Sequence, residues 1–387
     1  MKYLSAILLF FLYALLIPQR VLAVENPLSM PNNKFGIHIL FPSELKDAAT
    51  LINSTGGDWG YVTIPIQSGD RDIEKWQRFM DDARKNHIIP IIRLATEGDY
   101  FNTQVWRKPT AADILDFANF LNSLNWPTKN RYVVVFNEVN RGDEWGGTTD
   151  PADYAQILSY AVSVFKSKSD DFFIISAGLD NAAPTQPPSY MNEYTYMNLM
   201  DQEVPGIFNQ IDGMASHAYP NPGFSTAPTL NNSQSISSFT FERTLASSLS
   251  SKTLPVFITE TGWAGSIADD QKATWYQTAF SNSWSDSDIV AITPFILRAG
   301  GEPFKKFSFL KEDGSKTLQY IAYQQIPKVK GTPTLTKPVP AILGTETTVA
   351  PDSSLVFRNF SMTDKGKKKS FSNVDLLEST FKWMMKL

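Results

Sequence analysis

Eight short runs rich in β-branched and aromatic residues alternate with longer amphipathic stretches between residues 33 and 326. They lie at Phe35–Leu40, Tyr61–Ile66, Ile88–Leu94, Tyr132–Phe136, Phe172–Ser176, Gly213–Ser216, Val256–Thr259 and Ile289–Ile296. Such alternation argues for βα units and a parallel sheet rather than a sandwich. Several runs are continuously apolar, as in Val133-Val134-Val135-Phe136, the pattern of strands covered on both faces. The helical stretches carry start signals. Asp150-Pro151-Ala152-Asp153 offers a capping residue, a first-turn proline and an acid at the positive dipole end, ahead of an apolar stripe from Tyr154 to Phe165. Thr110-Ala111-Ala112-Asp113 opens the preceding helix similarly, with Ile114, Phe117, Leu121 and Leu124 directed inward.

Eight such units predict an α/β fold, a (β/α)8 TIM barrel, with a doubly wound open sheet as the alternative that lacks a Gly-rich phosphate fingerprint. Pro65, Pro90 and Pro294 fall inside the assigned strands, where each removes a ladder donor. Ahead of the barrel, Lys2 precedes an apolar run from Leu4 to Ile17 that is too short to span a bilayer. With Val21-Leu22-Ala23 behind it, residues 1–23 read as a signal peptide cleaved after Ala23, so a secreted chain, extracellular, periplasmic or on a bacterial surface, without stable membrane insertion, is expected. Residues 327–387 turn Thr- and Pro-rich and read as a linker and tail, an accessory strand pair or a disordered segment.

The chain has no cysteine, so an exported protein of this size rests on its core alone. With 35 basic against 39 acidic residues and no basic stripe in the main body, nothing points to nucleic acid, and a monomer is expected.

In a barrel, chemistry sits at the C-terminal ends of the strands. There the fourth run breaks into Asn137-Glu138 and the seventh into Glu260, each a carboxylate directly after buried apolar residues. Either alone would suit a salt-bridged rim residue. Two acids on different strands converging on one mouth suit acid/base and nucleophilic work on an acetal. His38 closes the first run and His217 the sixth, whereas His87 lies at the opposite end and is set aside. His217 and Tyr219 can aim an imidazole and a phenol towards Glu260; for His38, a hydrogen-bonded rim role and substrate contact weigh evenly. The histidine spacing matches no zinc site, so neither a metal nor another cofactor is expected. Arg93 ends the third run, where a guanidinium can fix a catalytic carboxylate through paired hydrogen bonds or pack in the polar layer. Glu97 and Glu144 read as loop acids or outer contacts. Trp145 and Trp263 follow the two acids closely and are expected to stack on sugar faces, with Tyr100, Phe101 and Trp106 extending the cleft; Trp76, Trp275 and Trp284 fall on helices and read as packing.

Asn137-Glu138, His217 with Tyr219, and Ile258-Thr259-Glu260-Thr261-Gly262-Trp263, in that strand order, resemble the clan A retaining glycoside hydrolases, the superfamily of many cellulases, mannanases, xylanases and β-glucanases. The resemblance covers residues 33–326 and implies double displacement on a β-linked glycan. Glu138 is then the general acid/base, Glu260 the nucleophile, Asn137 the residue holding the 2-hydroxyl and Tyr219 the one orienting Glu260. The chain departs from the cellulase-like pattern in its arginine after the third strand and in Phe295 and Arg298 where a tryptophan would follow the eighth. A non-catalytic carbohydrate-binding barrel and a wall-remodelling transglycosylase are the competing readings.

Overall fold

The computed structural model describes residues 24–97, 105–264, 266–301 and 304–337. The expected leader, Tyr100 and Phe101, and the tail beyond residue 337 lie outside them. Eight strands follow in order: β1 (Gly36–His38), β2 (Gly60–Gln67), β3 (Ile88–Ala95), β4 (Arg131–Val134), β5 (Phe172–Ile175), β6 (Met214–His217), β7 (Val256–Glu260) and β8 (Ile289–Ile292). A helix returns the chain after each. In order they are α1 (Leu45–Ile52), α2 (Ile73–Lys85), α3 (Ala111–Ser123), α4 (Pro151–Lys168), α5 (Glu193–Glu203) with the short α6 (Ile207–Gln210), α7 (Ser238–Ser248), α8 (Asp269–Ser281) and α9 (Leu318–Gln325). The anticipated caps form. Asp150 accepts from the Asp153 amide, and Thr110 and Asp113 make a reciprocal capping box.

All pairings between these strands are parallel. β1 to β5 form one ladder and β6 to β8 another. Parallel bridges Ile175↔Gly213 and Phe35↔Ile292 join the two ladders at both edges and close the barrel. At the first seam the missing side chain of Gly213 matters, since a Cβ there would come within 2.9 Å of the Phe173 and Phe257 rings. Because strand side chains alternate, Tyr61, Ile89, Ile91, Tyr132, Phe173, Ile175 and Phe257 fill the barrel interior, while Val62, Ile64, Ile92 and Val133 meet the helices.

Four strands end short of the sequence reading: β1 at His38 and β5 at Ile175, besides β4 and β8. β4 stops at Val134 because Phe136 takes a left-handed backbone, φ 69°. β8 stops at Ile292 because Pro294 has no N–H to continue a ladder, although its carbonyl still accepts from His38. Pro65 and Pro90 do stay inside their strands. Residues 327–337 are no free linker. They strap across the N-terminal face of the barrel, with Gly331 donating to Asp58, Lys129 donating to Thr334 and Arg84 reaching the Thr336 carbonyl. No described helix is long and apolar enough to cross a membrane.

Candidate active site

At the C-terminal ends of the strands a cavity of about 600 Å³ opens, lined among others by Arg93, Trp106, Asn137, Glu138, Arg141, Glu144, Asp180, Tyr219, Glu260 and Phe295. Glu138 follows β4 with φ 37°, a strained setting for a side chain of this size, and its amide donates to the Gly178 carbonyl. Glu260 ends β7. One oxygen of each carboxylate and a ring nitrogen of His217 all lie within 4.8 Å of one another.

The two acids have different neighbours. His217, at the end of β6 and almost wholly buried, places Nδ1 3.0 Å from Glu138 Oε1 and 3.8 Å from Glu260 Oε2. Burial pulls the His217 pKa down, but the charge of Glu260 and the hydrogen bond and charge of Glu138 outweigh it and leave the group raised. Gly178 must stay bare for this, since a Cβ there would stand 2.5 Å from His217 Nε2. Arg141 lies 3.5 Å from Glu138 Oε2 and also holds Asp143 and Asp180. On the other side the Tyr219 hydroxyl donates to Glu260 Oε2 at 3.0 Å. Burial and the Glu260 charge push that phenol well above its usual range, so it remains a donor. Asn137 donates to Glu144 Oε1 at 2.9 Å and leaves its own side-chain oxygen without a partner.

Several expected contacts change. Trp145 and Trp263 are fully buried and do not line the cavity, so neither can stack on a ligand. Trp145 packs on Phe136 and Tyr154 and donates to Asp153; Trp263 packs among Trp275, Tyr276 and Trp284 and donates to the Thr226 carbonyl. Sequence proximity to the acids misled, because both indoles turn back onto the helix layer, where a large apolar surface is best removed from water. His38 and His217 are likewise covered and touch carboxylates, not the cavity: His38 Nε2 sits 3.9 Å from Glu260 Oε1, and burial, Arg93 and His217 hold it well below its usual range. Arg93 lines the cavity as anticipated, but makes no hydrogen bond or ion pair with a described residue, so it clamps neither Glu138 nor Glu260. Glu97 pairs with Arg107 as a loop acid; Glu144 is instead buried against Asn137. Trp106 lines the cavity, whereas His87 sits at the far face, paired with Asp58.

Sequence reading missed Arg141 and Asp180, and an apolar wall of Phe224, Phe304 and Phe307 around Phe295. The Arg141 spacing, three residues past Glu138, was the one available signal.

Buried carboxyl groups give the fold an unusual acid preference. Burial holds Glu44 and Glu242 up at about 7, and raises Glu144 and Glu193 well above the usual range, helped by the charges of Glu138 and Glu242 respectively. Each group in the unfolded chain ionises near about 4.3. The folded state therefore binds more protons between roughly pH 4.5 and 7, and the stability these groups contribute is lost as pH rises through that window. His38, held neutral, acts oppositely in that window but alone among the described residues, since Asp180 and His217 are raised and act with the four. The melting temperature is expected to fall from pH 5 to pH 7; a rise measured by calorimetry would contradict the protonated assignment.

No protein-family model matches the sequence, and no curated protein matches it. Solved structures do. A family 39 glycoside hydrolase from Bacteroides cellulosilyticus WH2 superposes with TM-score 0.56 at 16% identity over 78% of this chain and 64% of that one. A family 39 β-xylosidase from Caulobacter crescentus gives 0.53 at 15% over 76% and 71%. A family 128 endo-β-1,3-glucanase from Sorangium cellulosum gives 0.50 at 14% over 77% and 98%. The chain thus spans less than two thirds of the first of these proteins. At these identities the likeness shows the fold alone, a (β/α)8 barrel shared with these proteins.

Proposed function

We propose that this protein is a retaining glycoside hydrolase that cleaves a β-linked glycan by double displacement. One observation carries the reading: the approach of Glu138 and Glu260 oxygens to within 4.8 Å at the floor of the cavity. Carboxyl groups about 5–5.5 Å apart suit a covalent route, whereas about 6.5–9.5 Å is needed to admit the water of an inverting one.

The neighbours divide the roles. Tyr219 donates to Glu260 Oε2 and so orients the carboxylate that attacks the anomeric carbon. Glu138 and His217 face each other at 3.0 Å and can hold a proton between them. Glu138 passes a proton to the departing glycosidic oxygen as Glu260 forms the glycosyl ester; Glu138 then takes a proton from the incoming water, which releases the sugar and restores Glu260. Asn137 offers its free side-chain oxygen to a sugar hydroxyl, and Phe295 and Trp106 supply flat apolar surface for C–H faces. His217, Glu138 and Glu260 are also the one described cluster with donor atoms spaced for a cation. The hydrogen bonds between His217 and Glu138 and from Tyr219 to Glu260 favour proton transfer instead. The protein is proposed to act as a monomer outside the cell, with carbohydrate as its partner.

The test is a panel of β-mannan, β-glucan, xylan and galactan, with product size followed by chromatography and product anomer by NMR. Release of the β-anomer first supports the reading. Initial release of the α-anomer overturns retention, longer products mark transglycosylation, and binding of glycan with no cleavage anywhere on the panel overturns the enzyme.

A further inference from the structure

The charges around the cavity do not all find partners. Asp70 is taken by Lys75, and Glu138 and Asp180 share Arg141. Glu260 accepts from Tyr219. Glu144 accepts from Asn137, and burial and the charge of Glu138 raise its pKa well above the usual carboxylate range, against the pull of Arg93 and Arg141. Lys306 also lines the cavity but is exposed to solvent, and Arg93 stands apart as the cation partly withdrawn from it. It continues the inward series Ile89, Ile91, Arg93 along β3, so its guanidinium emerges at the top of the barrel interior, on the wall of the cavity. It is only partly exposed, its Nε is buried without a partner, and no carboxylate among the described residues lies within 4.0 Å of it. Withdrawing a guanidinium from water without a counter-charge is costly, and the planar fork is shaped to accept a two-oxygen anion. Its charge depresses His38 and acts on Glu144 and His217, which places it beside the catalytic pair and not at a remote rim.

We propose that the sugar bound at Glu138 and Glu260 carries an anionic substituent, a uronate carboxylate or a sulfate ester, and that Arg93 is the residue that binds it. This deepens the glycosidase reading and rests on it. A neutral sugar offers hydroxyls to the fork but no charge, and leaves the partly buried guanidinium without a counter-charge among the described residues. An acidic sugar supplies both. The substrate class is then an acidic β-glycan, with Arg93 as its specificity determinant.

Binding separates this inference from the chemistry. The full chain carrying Glu138→Gln is titrated by calorimetry with three matched oligosaccharides: neutral, uronate-containing and sulfated. One of the acidic ligands is expected to bind roughly 10- to 100-fold more tightly than the neutral one, the span for hydrogen bonds to a charged group. Which of the two does so identifies the substituent. Adding Arg93→Met should abolish that preference, and Arg93→Lys, which keeps charge without the fork, should restore part of it; circular dichroism checks that each variant folds. Equal or tighter binding of the neutral ligand overturns the proposal, as does an Arg93→Met variant that weakens neutral and acidic ligands alike. Hydrolysis of neutral glycans by the unaltered protein with no acidic preference overturns this inference alone. Failure to bind or cleave any glycan overturns both.

Discussion

Glu260→Gln is expected to lower turnover by on the order of 10⁴-fold or more while leaving the helical signal and melting temperature close to those of the parent protein. The amide matches the carboxylate in shape and keeps an oxygen for the Tyr219 hydroxyl to donate to at the 3.0 Å seen here, so the local packing survives. What it loses is the charge and lone pair that form the glycosyl bond, and with them the whole covalent route. Glu260→Gly sharpens the test. Removing the side chain opens room for azide beneath the anomeric carbon, and a single displacement by azide must yield a glycosyl azide of configuration opposite to the substrate. A Gln variant with full activity, or an azide product of retained configuration, removes Glu260 from the nucleophile's role.

Glu138→Gln is expected to behave differently with different leaving groups. With a natural glycan, whose departing alcohol needs a proton, the loss should be roughly 10²- to 10⁴-fold. With an aryl glycoside of low leaving-group pKa, formation of the glycosyl-enzyme needs no proton and should persist. The second step, now without a base to activate water, becomes limiting, and the covalent adduct accumulates to a level that intact-mass spectrometry detects. A uniform loss across leaving groups with no adduct would show that Glu138 serves only to position the sugar.

Much of this is legible in the sequence. Strands covered on both faces announce themselves, as in Val133-Val134-Val135-Phe136, and once eight are counted the barrel orders their ends. That ordering picks Glu138 and Glu260 from among 39 acidic residues, because each breaks an apolar run at the same pole of the molecule. It also picks Tyr219, whose hydroxyl does reach Glu260. Loops have no such period. Trp145 lies seven residues past Glu138, yet a single 3₁₀ turn at Gly142–Glu144 swings it into the helix layer, and nothing in its spacing tells inward from outward. Arg141 and Asp180 meet across 39 positions, and Phe224 meets Phe307 across a still longer interval; such contacts exist only after the chain has closed. Arg93 lies at the mouth, as its strand position implies, but that no carboxylate among the described residues pairs with it is a property of the assembled cavity that no local pattern records.

Barrel closure also bears on how the protein fails. Glu138 is carried by the five-strand ladder and Glu260 by the three-strand ladder, and the seams that join them are short: the bridges Ile175↔Gly213 and Asp180↔His217 at one edge, and Phe35↔Ile292 with the backbone hydrogen bonds from His38 to Pro294 and from Leu297 to His38 at the other. Warming that merely parts these edges draws the acids out of reach of one anomeric carbon while every helix is still intact. Heat inactivation should therefore run several degrees ahead of the melt seen by circular dichroism and reverse on cooling, and coincident transitions would mean that the staves of the barrel come apart only together.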